Sequence, residues 1–305
     1  MNYLILKIFL RIIIYGLIIY VSLSLYFFYA YIHPAKFISG ITPRDLGLGY
    51  EEITLVTKDG IKLAGWFIPQ KKSSQAIIVC HGYPADKGNV LEMAAFLAPH
   101  YNLLFFDFRA LGRSQGRFST GGWKEREDFF AAIKFLKERG FNNIGALGFS
   151  MGGAVILMSN SPDINPVRNT TFSNTENKIS NGVKAIVSDS SYASLDAVLH
   201  LIFKNFGILR YPFVGMMKLL ARLFFKIDVD SVSPLKYISQ IKAPIFLIHS
   251  ELDSQIPLEH AQLLHRANPK TELWIIPGAD HGGGFGLKQE EYQEKVLKFF
   301  QTSLK

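Results

Sequence analysis

The hydrophobic rhythm of the chain changes three times. Ile12 to Ile32 is a run of 21 residues without a charge, and as a helix it would span about 31 Å, close to the hydrocarbon thickness of a bilayer. It exits through Tyr26-Phe-Phe-Tyr-Ala-Tyr31, an aromatic belt rather than a small-residue cleavage site. This predicts a retained transmembrane helix over about 12–32, within an anchor of residues 1–34. Residues 35–50, with Gly40, Thr42-Pro43 and Gly47-Leu-Gly49, read as a linker. Glu52 to Thr57 and Ile61 to Ile68 then alternate polar and apolar around Lys58-Asp59-Gly60, which predicts a β-hairpin at the edge of a domain spanning 51–305. From Ala76 the rhythm becomes short continuous apolar runs between helical stretches: 76–80, 103–106, 144–149, 185–187, 245–248 and 273–276. Buried runs alternating with amphipathic segments predict an α/β domain, a mostly parallel sheet with helices on both faces.

Two regions break that alternation. Residues 161–182, rich in Asn, Ser and Thr, read as a polar surface insertion. Residues 192–237 are apolar with helical period and read as a cap over one edge of the sheet. Within the cap, Lys218, Arg222 and Lys226 fall four apart, a basic stripe that fits either an anionic bilayer surface or an ordinary solvated helix face.

Charge changes this picture little. The net charge of +8 is split, because Lys7, Arg11, Lys36 and Arg44 stand in the first 44 residues without an acid. The remainder is weakly basic, so no nucleic-acid partner is expected. Basic residues flank the apolar run on both sides, and only the terminal amine favours an inside N-terminus, so the lean is towards a domain outside the cytoplasm. The single Cys80, in Ala-Ile-Ile-Val-Cys, reads as a small core residue and leaves no disulfide framework.

In a parallel sheet the ligand sits outside the carboxyl ends of the strands. Those ends carry His81-Gly82-Tyr83, Asp107, Ser150, Asp189, His249 with Asp253 four residues on, and His281. Gly148-Phe-Ser-Met-Gly152 is the most informative of them. A G-x-S-x-G segment turns a buried strand sharply into a helix with the serine at a strained apex; glycines on either side lack the Cβ atoms that would collide there. The strand-end histidines lack metal-ligand spacing, so neither a metal nor another cofactor is expected.

With these motifs in this order, the chain resembles the α/β-hydrolase superfamily over residues 51–303, and most of all its membrane-anchored serine hydrolases in the branch related to prolyl oligopeptidases and serine aminopeptidases. The residues that carry the resemblance are His81-Gly82-Tyr83, Asp107-Phe-Arg-Ala-Leu-Gly-Arg-Ser114, Gly148-Phe-Ser-Met-Gly152, His249-Ser-Glu-Leu-Asp253 and Gly278-Ala-Asp-His281. The resemblance implies Ser150 as nucleophile, His281 as base and Asp253 as acid, with the backbone N–H groups of Tyr83 and Met151 as oxyanion hole and Gly148 and Gly152 as the elbow glycines. Asp280, beside His281, is a weaker rival for the acid, since neighbours on an irregular loop rarely point at each other. Asp107, Arg109, His81 and Gly82 are expected to support loops, and His249 to orient one. The expected reaction is cleavage of an ester, thioester or amide through an acyl-enzyme, on a small or lipid-like substrate with an apolar acyl group. A short-peptide substrate and a non-catalytic binding module on the same fold are the alternatives.

Overall fold

The computed structural model describes residues 2–161 and 182–304, so the polar insertion lies almost wholly outside the described residues. A single eight-stranded sheet organises the domain. In chain order the strands are β1 (Glu51–Val56), β2 (Lys62–Ile68), β3 (Gln75–Cys80), β4 (Asn102–Phe106), β5 (Asn143–Phe149), β6 (Ala185–Asp189), β7 (Ile245–Ser250) and β8 (Glu272–Ile276). Their spatial order is β1-β2-β4-β3-β5-β6-β7-β8, with β1/β2 and β2/β4 antiparallel and the rest parallel. The alternating segments form the edge hairpin and the continuous apolar runs fill the middle, because only strands covered on both faces are apolar throughout.

Nine α-helices occur among the described residues: α1 (Asn2–Ile32), α2 (Leu91–Ala95), α3 (Glu125–Glu138), α4 (Met151–Ser159), α5 (Leu195–Ile202), α6 (Arg210–Phe225), α7 (Glu259–Ala267), α8 (Gly284–Leu287) and α9 (Gln289–Ser303). One face of the sheet buries Leu104, Phe106 and Ile78 against Phe129 and Ile133 of α3 and Ile156 of α4. The other buries Ile77, Phe105 and Ile248 against Leu91 of α2 and Val296 and Phe300 of α9. Cys80 belongs to the first cluster, and burial pushes its thiol pKa up.

α5 and α6 fall in the segment read as a cap, and residues of both line the cavity beside Ser150. The stripe expected on α6 is not a single face: Lys218 is bound to Asp196 (3.0 Å) and Asp230 (2.6 Å), and Lys226 lies past the helix end at φ 56°. Arg222 stays exposed.

α1 is longer than the uncharged run, taking in Lys7 and Arg11, and is long and apolar enough to cross a membrane. Its first half stands free of the domain, while Phe28 and its neighbours Phe27, Tyr31 and Ile32 pack with Phe203, Phe213 and Met217 of the cap region. The linker segment lies along the domain: Lys36 Nζ donates to Ser114 O (2.7 Å), Ser39 N–H to Asp86 Oδ2 (3.1 Å), and Ile41, Leu48 and Tyr50 pack on the core.

Candidate active site

β5 delivers Ser150 to the carboxyl edge of the sheet and α4 leaves immediately after it. The turn holds Ser150 at φ 52°, ψ −117°, a region that residues with a Cβ rarely enter. A Cβ on Gly148 would lie 2.5 Å from Gly153 N, and one on Gly152 would lie 2.4 Å from Cys80 O. Both opposing atoms are backbone, so glycine is sterically required on each side of the serine. The main chain is braced from the neighbouring strand, where Ser150 N–H donates to Asp189 O at 2.8 Å.

His281 follows β8 on an irregular turn and reaches Ser150 across the edge. Its Nδ1–H donates to Asp253 Oδ2 at 2.7 Å, leaving Nε2 to accept from the Ser150 hydroxyl at 3.2 Å. Asp253 is buried, and its second oxygen accepts the N–H groups of Gln255 (3.0 Å) and Ile256 (2.7 Å). That arrangement holds the carboxylate fixed and aimed at the ring. The Phe149 ring lies 4.9 Å from the His281 ring and restricts its tilt. Asp280 does not touch the His281 ring: its carboxylate accepts from Ser254 and from the His281 backbone N–H, which makes it a brace for the loop. His249 donates through Nε2 to Ile256 O at 2.7 Å, tying down the same Asp253 loop; burial lowers its pKa.

The His81-Gly82-Tyr83 loop crosses in front of the serine, close enough that a Cβ on Gly82 would meet Ser150 Cβ at 3.1 Å. His81 is sealed beneath it. Its Nε2 accepts from Phe108 N–H (2.9 Å) and its Nδ1–H donates to Gly82 O (2.7 Å), and burial lowers its pKa, so the ring is a neutral strut. Tyr83 and Met151 both line the cavity beside Ser150. As the first residue of α4, Met151 has an N–H with no carbonyl one turn back to receive it, and the helix dipole makes that position attractive to negative charge.

Asp107 and Arg109 stand behind this layer. Asp107 accepts from the Lys87 backbone and ammonium (2.8 and 2.7 Å) and from Arg113 N–H (2.8 Å). Arg109 bridges Asp128 (2.6 Å) and Asp59 (2.7 Å), tying the loop after β4 to α3 and to the edge hairpin. These ion pairs hold loops and do not reach the serine.

The roles of three contributors were not legible in the sequence, although Asp189 stood among the strand-end residues and α1 was expected only as an anchor. Glu125, fully buried, accepts from the Ser119 and Thr120 hydroxyls and from the Thr120 and Gly122 N–H groups, and so shapes the 119–122 loop that lines the cavity. Asp189 accepts from Ser190 Oγ (2.9 Å) and Tyr292 OH (3.0 Å), and burial raises its pKa to about 6. The third is α1, whose Phe28, Tyr31 and Ile32 form part of the cavity wall.

That cavity measures about 480 Å³, within the usual range for small-molecule sites. It opens onto Ser150, and among the described residues Lys204 is the single charged one in its lining. Such a space suits an apolar group. No cluster of three or more His, Cys, Asp or Glu with metal-holding geometry occurs among the described residues.

Comparison with known proteins identifies the family and the fold. The family model described as Alpha/beta hydrolase family matches residues 77–294. The YfhR protein of Salmonella typhimurium is 27 % identical over 90 % of this chain and 88 % of its own length. The alpha/beta hydrolase domain-containing protein WAV2 of Arabidopsis thaliana is 24 % identical over 86 % of this chain and 82 % of its own. Among solved structures, the Pyrococcus furiosus esterase Pf2001 superposes with a TM-score of 0.72 at 29 % identity, covering 91 % of this chain and all of that one.

Proposed function

Because the chain belongs to the alpha/beta hydrolase family, we propose that it is a serine hydrolase held at a membrane by α1, acting on an ester, thioester or amide with an apolar acyl group. Family membership and the esterase neighbour support a hydrolase. The observation that carries the finer reading is the relay from Ser150 through His281 to the buried Asp253 at 3.2 and 2.7 Å, opening onto an apolar cavity.

In this reading Ser150 Oγ attacks the acyl carbonyl carbon as His281 Nε2 takes its proton, a service that contributes roughly 10²–10⁴ in rate. Asp253 keeps the proton on Nδ1 and offsets the charge of the imidazolium that forms. The oxyanion accepts from the N–H groups of Met151 and Tyr83. His281 then protonates the departing alcohol, thiol or amine, leaving an acyl-serine. A water then gives a proton to the same nitrogen as it attacks the acyl-serine, and His281 returns that proton to Ser150 Oγ as the acid leaves. The nearly uncharged lining favours an acyl chain over a peptide, whose backbone amides would need partners.

Retention of α1 is supported by its place in the cavity wall, since cleavage as a signal segment would remove Phe28, Tyr31 and Ile32 from it. The test is to expose the full chain in detergent to a fluorophosphonate and measure intact mass, alongside Ser150→Ala and His281→Ala. One adduct on the wild type, absent from both variants, is expected. A folded wild type that takes no adduct would leave a non-catalytic module on the same fold.

A further inference from the structure

α1 ends against the domain, held by specific polar contacts. The last four carbonyls of a helix need partners from outside it, and here two come from the catalytic face: Tyr83 OH donates to Tyr31 O at 2.7 Å and Ser119 N–H to Ile32 O at 2.8 Å. Tyr83 belongs to the loop in front of Ser150, and Ser119 to the loop shaped by Glu125. On the cap side, Tyr20 OH donates to Pro212 O at 2.7 Å, and the Phe28 ring lies tilted against those of Phe224 and Phe225, 6.0 and 5.9 Å between centroids. α1 and α6 therefore run side by side in the same direction, with the start of α6 the part furthest from the sheet.

That arrangement fixes the depth of the cap if α1 spans a bilayer. Even counted from Tyr3, and so including Lys7 and Arg11 ahead of the uncharged run, the part of α1 before the cap contact is only about 26 Å long, short of a hydrocarbon core of about 30 Å. A span by α1 therefore draws the start of α6 below the lipid surface. The residues there have the matching chemistry: Ile208 is 82 % exposed and Leu209 and Tyr211 are exposed beside it, while Leu223 and Phe224 continue an apolar face towards the domain. Arg210 lies against the Tyr211 ring at 4.9 Å and is long enough to reach headgroups. Arg222 and Lys226, exposed near the other end of α6, are long enough to reach headgroups, where anionic lipid favours them. Ile202, partly exposed on the same side, lines the cavity itself and connects this face to its interior.

We propose that α1 is a wall of the substrate site as well as an anchor, and that the substrate is an acyl lipid of the same bilayer whose chain enters the cavity beside α1 and the cap. Phe28, Tyr31 and Ile32 then select the chain. This inference rests on the hydrolase reading and adds the origin of the substrate and the residues that read it.

The test uses the full chain reconstituted in phosphatidylcholine vesicles. Turnover of a palmitoyl umbelliferyl ester placed in the same vesicles is compared with that of the water-soluble butyryl ester. Phe28→Ala, which opens the wall, and Ile32→Trp, which fills the cavity, should each lower the palmitoyl-to-butyryl ratio of kcat/KM by about tenfold or more, the scale set by a few apolar contacts. Leu17→Ala, on the exposed part of α1, should leave the ratio unchanged. Palmitoyl ester held in separate vesicles should turn over far more slowly than ester in the enzyme's own. An unchanged ratio in both wall variants that still take the fluorophosphonate, or equal rates from shared and separate vesicles, overturns this inference and leaves the hydrolase reading standing. Absence of labelling in the wild type removes both.

Discussion

Tyr83 and Tyr31, 52 residues apart, are joined by a hydrogen bond of 2.7 Å from the Tyr83 hydroxyl to the Tyr31 carbonyl. The first stands in the loop facing Ser150 and the second in the last turn of α1, so this bond couples the apolar helix to the edge of the sheet that carries Ser150. Burial pushes the Tyr83 pKa to about 12, which keeps the hydroxyl a donor throughout the ordinary pH range. Tyr83→Phe keeps the ring and strands the carbonyl. The expected cost is about 1–3 kcal/mol, seen as a melting midpoint lowered by about 2–9 °C in detergent, with weaker turnover of long-chain esters.

The two carboxylates beside His281 should separate cleanly. Asp253→Asn removes the acceptor that sets the ring tautomer and should lower kcat by about 10⁴. Asp280→Asn leaves the ring untouched and should change kcat by less than about tenfold. Steady-state kinetics on a short-chain ester, with circular dichroism to confirm folding, decides between them; the reverse ranking would move the acid to Asp280.

Gly152→Ala places a Cβ 2.4 Å from the Cys80 carbonyl oxygen, and Gly148→Ala places one 2.5 Å from Gly153 N. Neither partner is the flexible end of a side chain. Each substitution should cost at least the upper part of the overpacking range of about 1–3 kcal/mol, measured by chemical denaturation. Gly140→Ala, where nothing lies within 4 Å but φ is +89°, should be milder.

Asp189 should make stability depend on pH in a defined direction. Its folded pKa of about 6 lies above the ordinary value of 3.8, so the folded state holds its proton longer than the unfolded chain does. The associated stability is complete below about pH 4 and is lost as pH rises through about 6, by up to about 3 kcal/mol. Asp189→Asn carries no such charge. Its melting midpoint relative to wild type should therefore rise from pH 4 to pH 6 and level off above, while a pH-independent difference would show that the carboxyl does not titrate in that window.

Much of the architecture was readable because burial leaves a local mark. The continuous apolar run at 144–149 read as a strand covered on both faces, and Gly148 and Gly152 around Ser150 pointed to a turn that admits no Cβ. The chain order of Ser150, Asp253 and His281 matched a known arrangement before any distance was known. The basic stripe on α6 read differently in three dimensions, because Asp196 and Asp230, from elements distant in the chain or beyond its end, neutralise Lys218.

α1 marks the boundary between the two kinds of information. Its composition determined that it is a helix suited to lipid, yet a helix apolar on every side has no periodicity to reveal which face meets protein. That Tyr20, Phe28, Tyr31 and Ile32 turn towards the cap and the cavity depends on the position of α6 and on which domain groups meet the last carbonyls of α1. The same holds for Glu125 and Asp189, whose roles depend on partners brought close by the sheet. Local sequence determined the strands, the serine turn and the lipid-compatible helix, because each is set by the spacing of side chains along a few turns. Only the tertiary structure decided how the helix, the cap and the strand ends enclose one cavity, because that enclosure is made of contacts between segments far apart in the chain.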